Sequence, residues 1–447
     1  MTIGTEQTTA VPADQQLSKA ARAGAFIGAV VLALGVRACF LDYRSGDYIG
    51  FYQQWFEFIR HHGGFLALRH QFSNYNMPYL YLLAAASYLP LSPLMAVKLV
   101  PVVFDVLVGW FTYRILGTRY PAGPRALAGG AVAMLLPSVV LNSSMWGQAD
   151  ATYVACVLGA LYYVLRRKPW IACSLFGLAV AFKLQAVFIF PLLPLLVLRK
   201  WLTWRSLLAI PGVFLLLDLP AILLGARPRD VFLVYFDQVT LNDGFTFTTP
   251  NVYQFLGGPT GGDLLTVAGV ALTGAVVVAV TAALVLRRVE LSESRVVLAA
   301  AVTVLLVPFL LPKMHERYFY LADVLTLVAA FWLPRRLWYV PALSQFASVF
   351  SYLPFLLLPF RLKESSGKQG IVDAHGFVSP KALLDLGSSS PEVLRHLLGP
   401  VVDFRLLAVA VLVALVVTLT AATREFRMPH EAVPSDPPSP HLLGGNR

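Results

Sequence analysis

Apolar runs long enough to cross a bilayer recur along this chain, divided by short polar breaks. A spanning helix needs roughly 17–25 mostly apolar residues. The pattern predicts spans near 24–41, 92–116, 126–142, 151–165, 170–182, 187–198, 206–225, 263–286, 296–312, 318–333, 338–360 and 402–421. Those at 170–182 and 187–198 are short, which suggests broken or tilted helices around Lys183. The first long break lies between Arg44 and Tyr81. Within it Phe51, Trp55 and Phe58 recur at helical spacing. That predicts an amphipathic helix over 48–60 lying in the membrane interface, where Trp and Tyr are favoured. His61-His62-Gly63-Gly64 ends it, Ser73-Asn74-Tyr75-Asn76 reads as a turn, and Pro78 opens a second interfacial helix over 79–88.

The predicted fold is all-α: a polytopic membrane protein of about 12 transmembrane helices, with interfacial helices in its first extracytoplasmic loop. Residues 24–421 form its one domain. They include the first loop, 42–91, and the long outer loops 226–262 and 361–400. Residues 1–23 and 422–447 read as disordered cytoplasmic tails. Composition agrees: 57% of the 447 residues are hydrophobic and 13% are charged, where soluble domains are nearer a quarter charged. A net charge of +11 raises nucleic acid as a partner. The basic residues are spread through short loops instead of forming one patch, so nucleic acid is set aside. Clusters such as Arg166-Arg167-Lys168, Arg199-Lys200 and Arg335-Arg336 fall on alternate loops, and this bias orients membrane proteins with those loops inside. Lys19 and Arg22 then keep the N-terminus inside and place Arg44–Tyr81 outside. The long loop 361–400 carries five basic residues, but long loops are exempt from the rule. Cys39, Cys156 and Cys173 have no metal-ligand spacing and read as small apolar residues.

Four segments bring unusual polar residues to the same predicted side. They are Asp47, the run Trp146-Gly147-Gln148-Ala149-Asp150, Lys183 with Gln185, and His315-Glu316-Arg317. Ionisable groups at membrane depth are costly and tend to be functional. Each also has a plainer reading. Asp47 stands where a helix N-cap would. Trp146 is placed as an interfacial anchor, Lys183 is placed to snorkel, and His315-Glu316-Arg317 would make a tight solvated turn. Asp105, Asp218 and Asp323 lie inside predicted spans and read as structural, with Lys98 or a neighbouring span as the partner for Asp105.

A site outside the cytoplasm lacks nucleotide sugars, so a transferase there needs a substrate already activated on a lipid carrier. A sugar on a polyprenyl phosphate meets that need. Its leaving phosphate calls for fixed cations, and the acceptor hydroxyl calls for a base. A transporter or lipid flippase is the alternative, though it would place its charges near the midplane and open its site to both faces.

The chain resembles GT-C glycosyltransferases, most of all the bacterial proteins related to the GPI-anchor mannosyltransferases. The likeness rests on Ser45-Gly46-Asp47-Tyr48 with Phe51 and Trp55, Gly63-Gly64-Phe65, and Asn74-Tyr75-Asn76-Met77-Pro78-Tyr79-Leu80-Tyr81. Trp146-Gly147-Gln148-Ala149-Asp150, Phe182-Lys183-Leu184-Gln185 and Met314-His315-Glu316-Arg317-Tyr318-Phe319 follow in the same order, and the likeness covers roughly 25–335. It implies a polyprenyl-phosphate sugar donor, mannose first, and an inverting transfer to a hydroxyl of a glycan or glycolipid. The acid of the first outer loop would be the base, which falls on Asp47. Many relatives pair two acids there; the nearby acid here is Asp42, which becomes the second choice. His315 and Arg317, with Lys183, would bind the donor phosphate. Asn74, Tyr75, Trp146, Gln148, Asp150, Gln185 and Glu316 would contact sugar or acceptor. No cofactor or metal is called for, because the fixed cations suffice and no acid cluster has ligand spacing. The region after Arg335 matches nothing in the family pattern.

Overall fold

The computed structural model of the protein describes residues 17–121, 123–236, 249–256, 263–286, 290–357 and 403–428. The loop 361–400 lies outside the described residues, as do much of 226–262 and most of both tails. The described residues are helical and contain no strand.

Several helices start where the local chemistry asks for it. α1 (Lys19–Ala38) begins at Ser18, whose hydroxyl accepts the Ala21 amide at 3.1 Å. Two more helices use serine caps in the same way: α4 (Pro93–Arg119) at Ser92 and α13 (Glu293–Leu310) at Ser292. Proline divides the chain elsewhere. α5 (Pro124–Leu135) and α6 (Pro137–Val140) meet at Pro137 with a bend of 46°. Proline has no amide hydrogen and crowds the preceding turn, so the ladder breaks there. A π-helical turn, Leu141–Trp146, then delivers Trp146 and Gln148.

α7 (Asp150–Leu165) is the central helix, buried at every position except Tyr163. It packs on α4 and on α8 (Pro169–Phe182), and α8 packs on α10 (Ala209–Leu223). A second group joins α13 to α14 (Tyr320–Trp332), α16 (Val340–Leu357) and α17 (Phe404–Arg427). Contacts of α14 with α4 and α5 unite the two groups. Glycine makes one junction close: a Cβ at Gly130 would lie 2.8 Å from the Gly109 carbonyl, so α5 and α4 touch backbone to backbone. α1, α10 and α12 (Asp263–Leu286) instead present apolar surface, including Leu216, Leu223, Leu264 and Val267. Water would not tolerate so much contiguous apolar surface, and lipid does.

The spans differ from the expectation in detail. Among the described residues six single helices are long and apolar enough to cross a bilayer, and the bent pair α5–α6 makes a seventh. α7, α8, α14 and α16 are shorter apolar helices. The predicted span at 187–198 is instead a 3-10 turn, Leu184–Ile189, followed by the seven-residue α9 (Leu192–Leu198). The helices of the first loop also differ. α2 (Gln53–His61) buries Trp55, Phe56 and Ile59, and α3 (Met77–Ala86) fully buries Tyr79, Leu83 and Ala84. Their apolar faces therefore meet protein as well as the interface. The tail boundaries move too: helix already runs over Lys19–Ala23 and continues to Arg427.

Asp105 pairs with a residue of a neighbouring span and not with Lys98. Its carboxylate takes the Arg37 guanidinium at 2.8 Å, and Tyr320 donates to it at 3.2 Å. Arg37 also donates to the Met134 carbonyl, tying α1, α4 and α5 together. Asp323 is structural as expected, accepting the hydroxyls of Ser344 at 2.5 Å and Ser348 at 3.0 Å from α16.

Candidate active site

Asp47 does not cap the helix it precedes. The neighbouring Ser45 takes that role, accepting the Tyr48 amide at 3.1 Å while donating to the Trp146 carbonyl at 2.6 Å. The Asp47 side chain is thereby released to face the Trp146–Asp150 segment. It accepts the Gln148 side-chain amide on Oδ2. Gln148 is oriented in turn by Tyr52, which donates to its Oε1 at 2.8 Å, and the Tyr75 hydroxyl lies 2.8 Å from that of Tyr52. The Asp47 side chain remains 31% exposed.

Behind this pair lies a sealed one. Asp150 opens α7 and accepts Lys183 Nζ at 2.6 Å and Asn142 Nδ2 at 2.8 Å. A carboxylate suits the first turn of a helix, where the dipole favours negative charge. Lys183 stands at the break between α8 and the following 3-10 turn, in extended backbone, so its side chain reaches across to α7. Its ammonium lies 5.2 Å from the Tyr75 ring centre.

The remaining wall follows α13. Arg317 Nη1 is 2.9 Å from Glu316 Oε1 and 3.9 Å from Asp47 Oδ2, while its Nε is 3.9 Å from Asp150 Oδ2. Its guanidinium stacks over Trp146 at 5.7 Å. His315 Nδ1 is 3.8 Å from Glu316 Oε2. The turn is fastened from outside: the Thr249 hydroxyl donates to the Met314 carbonyl, Asn251 to that of Leu311 at 3.2 Å, and Tyr253 to that of Leu310 at 2.7 Å.

Charge in this site is shifted by its surroundings. Burial pushes the Asp47 carboxyl above its ordinary range; Arg317 opposes that and Glu316 adds to it. Burial works against the Lys183 ammonium, but Asp150 more than offsets it and the net direction is upward. Glu316 is also buried, yet bonding to His315 and the charge of Arg317 hold it below the usual carboxylate range. Arg317 stays a cation: burial opposes its charge, but Glu316, Asp47 and Asp150 raise it well above its ordinary value.

Four predicted segments thus converge. Asp47, Gln148, Tyr75, Asp150, Lys183, Glu316, Arg317 and His315 form one connected network. Gln185 joins through a side-chain hydrogen bond with Tyr318. Asn74 lies exposed beside Tyr75. Asp42, the second choice for the base, is also exposed, five residues before Asp47. Two expectations change character. Trp146 is 1% exposed, stacks on Phe355, meets Tyr352 edge to face and lies under Arg317, so its indole is a platform for Arg317. Lys183 is enclosed and matched to Asp150, leaving little room for a direct phosphate contact. Tyr52 and Asn142 also belong to the network and had no role in the sequence reading. Tyr52 was visible only as one of several aromatics on its helix. Asn142 stood at the head of the Trp-Gly-Gln-x-Asp segment without a signal of its own. Among the described residues no three His, Cys, Asp or Glu side chains converge as metal ligands would.

The opposite ends of the same helices are basic and aromatic. Arg114 donates to Tyr162 at 2.5 Å, and Arg119 stacks over Trp332.

Comparison with known proteins bears on this arrangement. The model of glycosyltransferase family 87 matches residues 72–312, more than half of the chain. The matched stretch includes Tyr75, Gln148, Asp150 and Lys183, and leaves Asp47 and Arg317 outside it, before its start and after its end. None of the curated proteins compared matches. Among solved structures, the fold is similar to that of ArnT from Cupriavidus metallidurans bound to undecaprenyl phosphate. The TM-score is 0.51 at 14% identity, over 89% of this chain and 76% of that one. The fold is that of a multi-pass GT-C membrane protein.

Proposed function

The chain belongs to glycosyltransferase family 87, and on that premise we propose that it moves a sugar from a polyprenyl phosphate to an acceptor hydroxyl, with Asp47 as the base. The observation that carries this reading is the setting of Asp47. It is partly open, bonded on one oxygen by Gln148, and 3.9 Å from a half-buried arginine. The lipid-carried donor is supported by the likeness to ArnT, a structure that holds undecaprenyl phosphate.

In this reading the acceptor hydroxyl approaches the second oxygen of Asp47 and attacks the anomeric carbon from the side opposite the phosphate. The new glycosidic bond forms as the bond to the phosphate oxygen breaks. The hydroxyl proton passes to Asp47, and the negative charge goes to the departing polyprenyl phosphate. Arg317 and His315, 19% and 25% exposed, meet that charge. Lys183 is reassigned: it holds Asp150, which seats Arg317. Gln148 keeps Asp47 aimed, and Tyr75 with Asn74 borders the space where sugar or acceptor lies. Mannose is the first sugar to test, and a glycan or glycolipid is the acceptor class. The alternation of basic loops supports a cytoplasmic basic end and an extracytoplasmic site in a bacterial inner membrane.

The test is a transfer assay in proteoliposomes with radiolabelled polyprenyl-phosphate sugars, comparing wild type with Asp47→Asn. Wild type is expected to transfer label and Asp47→Asn to lose the activity. Full transfer by Asp47→Asn, or none by wild type from any such donor, rejects the reading.

A further inference from the structure

Lys98 sits in α4, far in sequence from every group described above as reacting, and is completely buried. Its ammonium donates to three backbone carbonyls: Phe40 at 2.8 Å, Leu41 at 3.2 Å and Tyr43 at 2.5 Å. A lysine has three N–H donors, so its whole capacity goes to one turn. That turn carries the chain from the end of α1 to Asp47. The stem of Lys98 meets a second segment. A Cβ on Gly147 would lie 3.6 Å from Lys98 Cγ, and Gly147 has φ +78°, a left-handed turn that glycine adopts without strain. Gln148, the next residue, donates to Asp47. One side chain therefore bonds the first and lies alongside the second of the two segments whose ends meet in the Asp47–Gln148 bond.

We propose that Lys98 is a positioning residue for the transfer, holding the turn before Asp47 and the Gly147 turn in register so that carboxylate and amide stay aligned. An apolar side chain of similar length would fill the same space and take this donor from the Leu41 and Tyr43 carbonyls, leaving Phe40 only its bond from the Tyr43 amide, which would free the turn to shift. This inference rests on Asp47 being the base.

The experiment compares Lys98→Met, Lys98→Arg and Asp47→Asn in the proteoliposome assay, with thermal unfolding in detergent as the measure of folding. Displacing a catalytic group by about 1 Å costs on the order of 100-fold in rate. Lys98→Met is therefore expected to lose about 10- to 100-fold in kcat while donor KM stays within about twofold. Lys98→Arg keeps charged donors at the carbonyls and is expected to restore part of the loss. An unchanged kcat in folded Lys98→Met overturns the proposal, as does a loss confined to donor KM. A Lys98→Arg variant as slow as Lys98→Met overturns the role given to the donated bonds. Should Lys98→Met not fold, Gly147→Ala disturbs the same junction through the strain of a side chain at φ +78°; a kcat loss at constant donor KM supports the proposal and an unchanged kcat overturns it. Asp47→Asn separates the two levels: if it is fully active, the base assignment fails and this inference with it. If it is inactive while Lys98→Met is fully active, only the inference fails.

Discussion

Two groups of buried charge share this bundle and are built differently. In the first, Arg37 and Asp105 meet at 2.8 Å and both are almost completely buried. Nη1 and Nη2 of Arg37 also donate to the Ala33 and Met134 carbonyls, and Asp105 takes a tyrosine as well. In the second, Arg317 is shared among three acids, two of them at 3.9 Å, and both it and Asp47 keep some exposure. The first group is sealed, with short bonds to fixed protein partners. The second has room for a ligand to replace a loose contact with a better one. The difference teaches that burial of charge does not by itself mark a site in a membrane protein; incomplete matching does.

The contrast can be broken most forcefully at Asp47. Losing a general base costs roughly 10²–10⁴-fold, so Asp47→Asn is expected to lower transfer by about that factor with unchanged thermal unfolding. Arg37→Met should do the reverse. Removing one partner of a buried pair costs roughly 3–5 kcal/mol of stability, read as a lower unfolding temperature and yield, while kcat per folded molecule stays near wild type. A matching double replacement, Arg37→Met with Asp105→Leu, should recover much of that stability, since apolar groups can replace a buried pair. The same exchange at Lys183 and Asp150 should not recover transfer, because Arg317 loses its seat. A milder change sharpens the comparison further. Asp47 accepts a proton only when ionised, and its pKa is raised, so activity is lost as pH falls through that raised value. Glu316 contributes to the rise, so Glu316→Gln should move the acid limb of kcat/KM to lower pH in a pH–rate profile.

Much of the site was legible because the chain is so apolar. In such a background Asp47, Gln148 with Asp150, Lys183 and His315-Glu316-Arg317 stand out as interruptions, and parity of the spans puts them at one end. What stayed hidden depends on how helices turn toward one another. Lys98 is seven residues from Asp105, and sequence proximity made it the natural partner. The pair forms instead with Arg37, 68 residues away, because α1 and α4 face each other at that level. Ser45 displaced Asp47 as the cap, a choice between two competent residues, with Gly46 between them, that local chemistry leaves open. The support from α16 was also invisible. Tyr352 and Phe355 back Trp146, and Ser351 donates to the Glu316 carbonyl at 3.3 Å, yet those residues form no motif. Span number was the weakest reading, because π-turns, 3-10 turns and Pro137 divide apolar runs that composition alone treats as continuous.

The Arg37–Asp105 pair also sets a schedule for biosynthesis. Arg37 leaves the ribosome 68 residues before its counter-ion. At roughly 5–20 residues per second the gap is about 3–14 seconds. During it, a charge that lipid rejects must wait near the insertion machinery, since α1 has so little protein around it. The arrival of α4 then ends the wait and brings in Lys98, which fastens the turn before Asp47. One helix thus completes both the insertion of its predecessor and the first wall of the site.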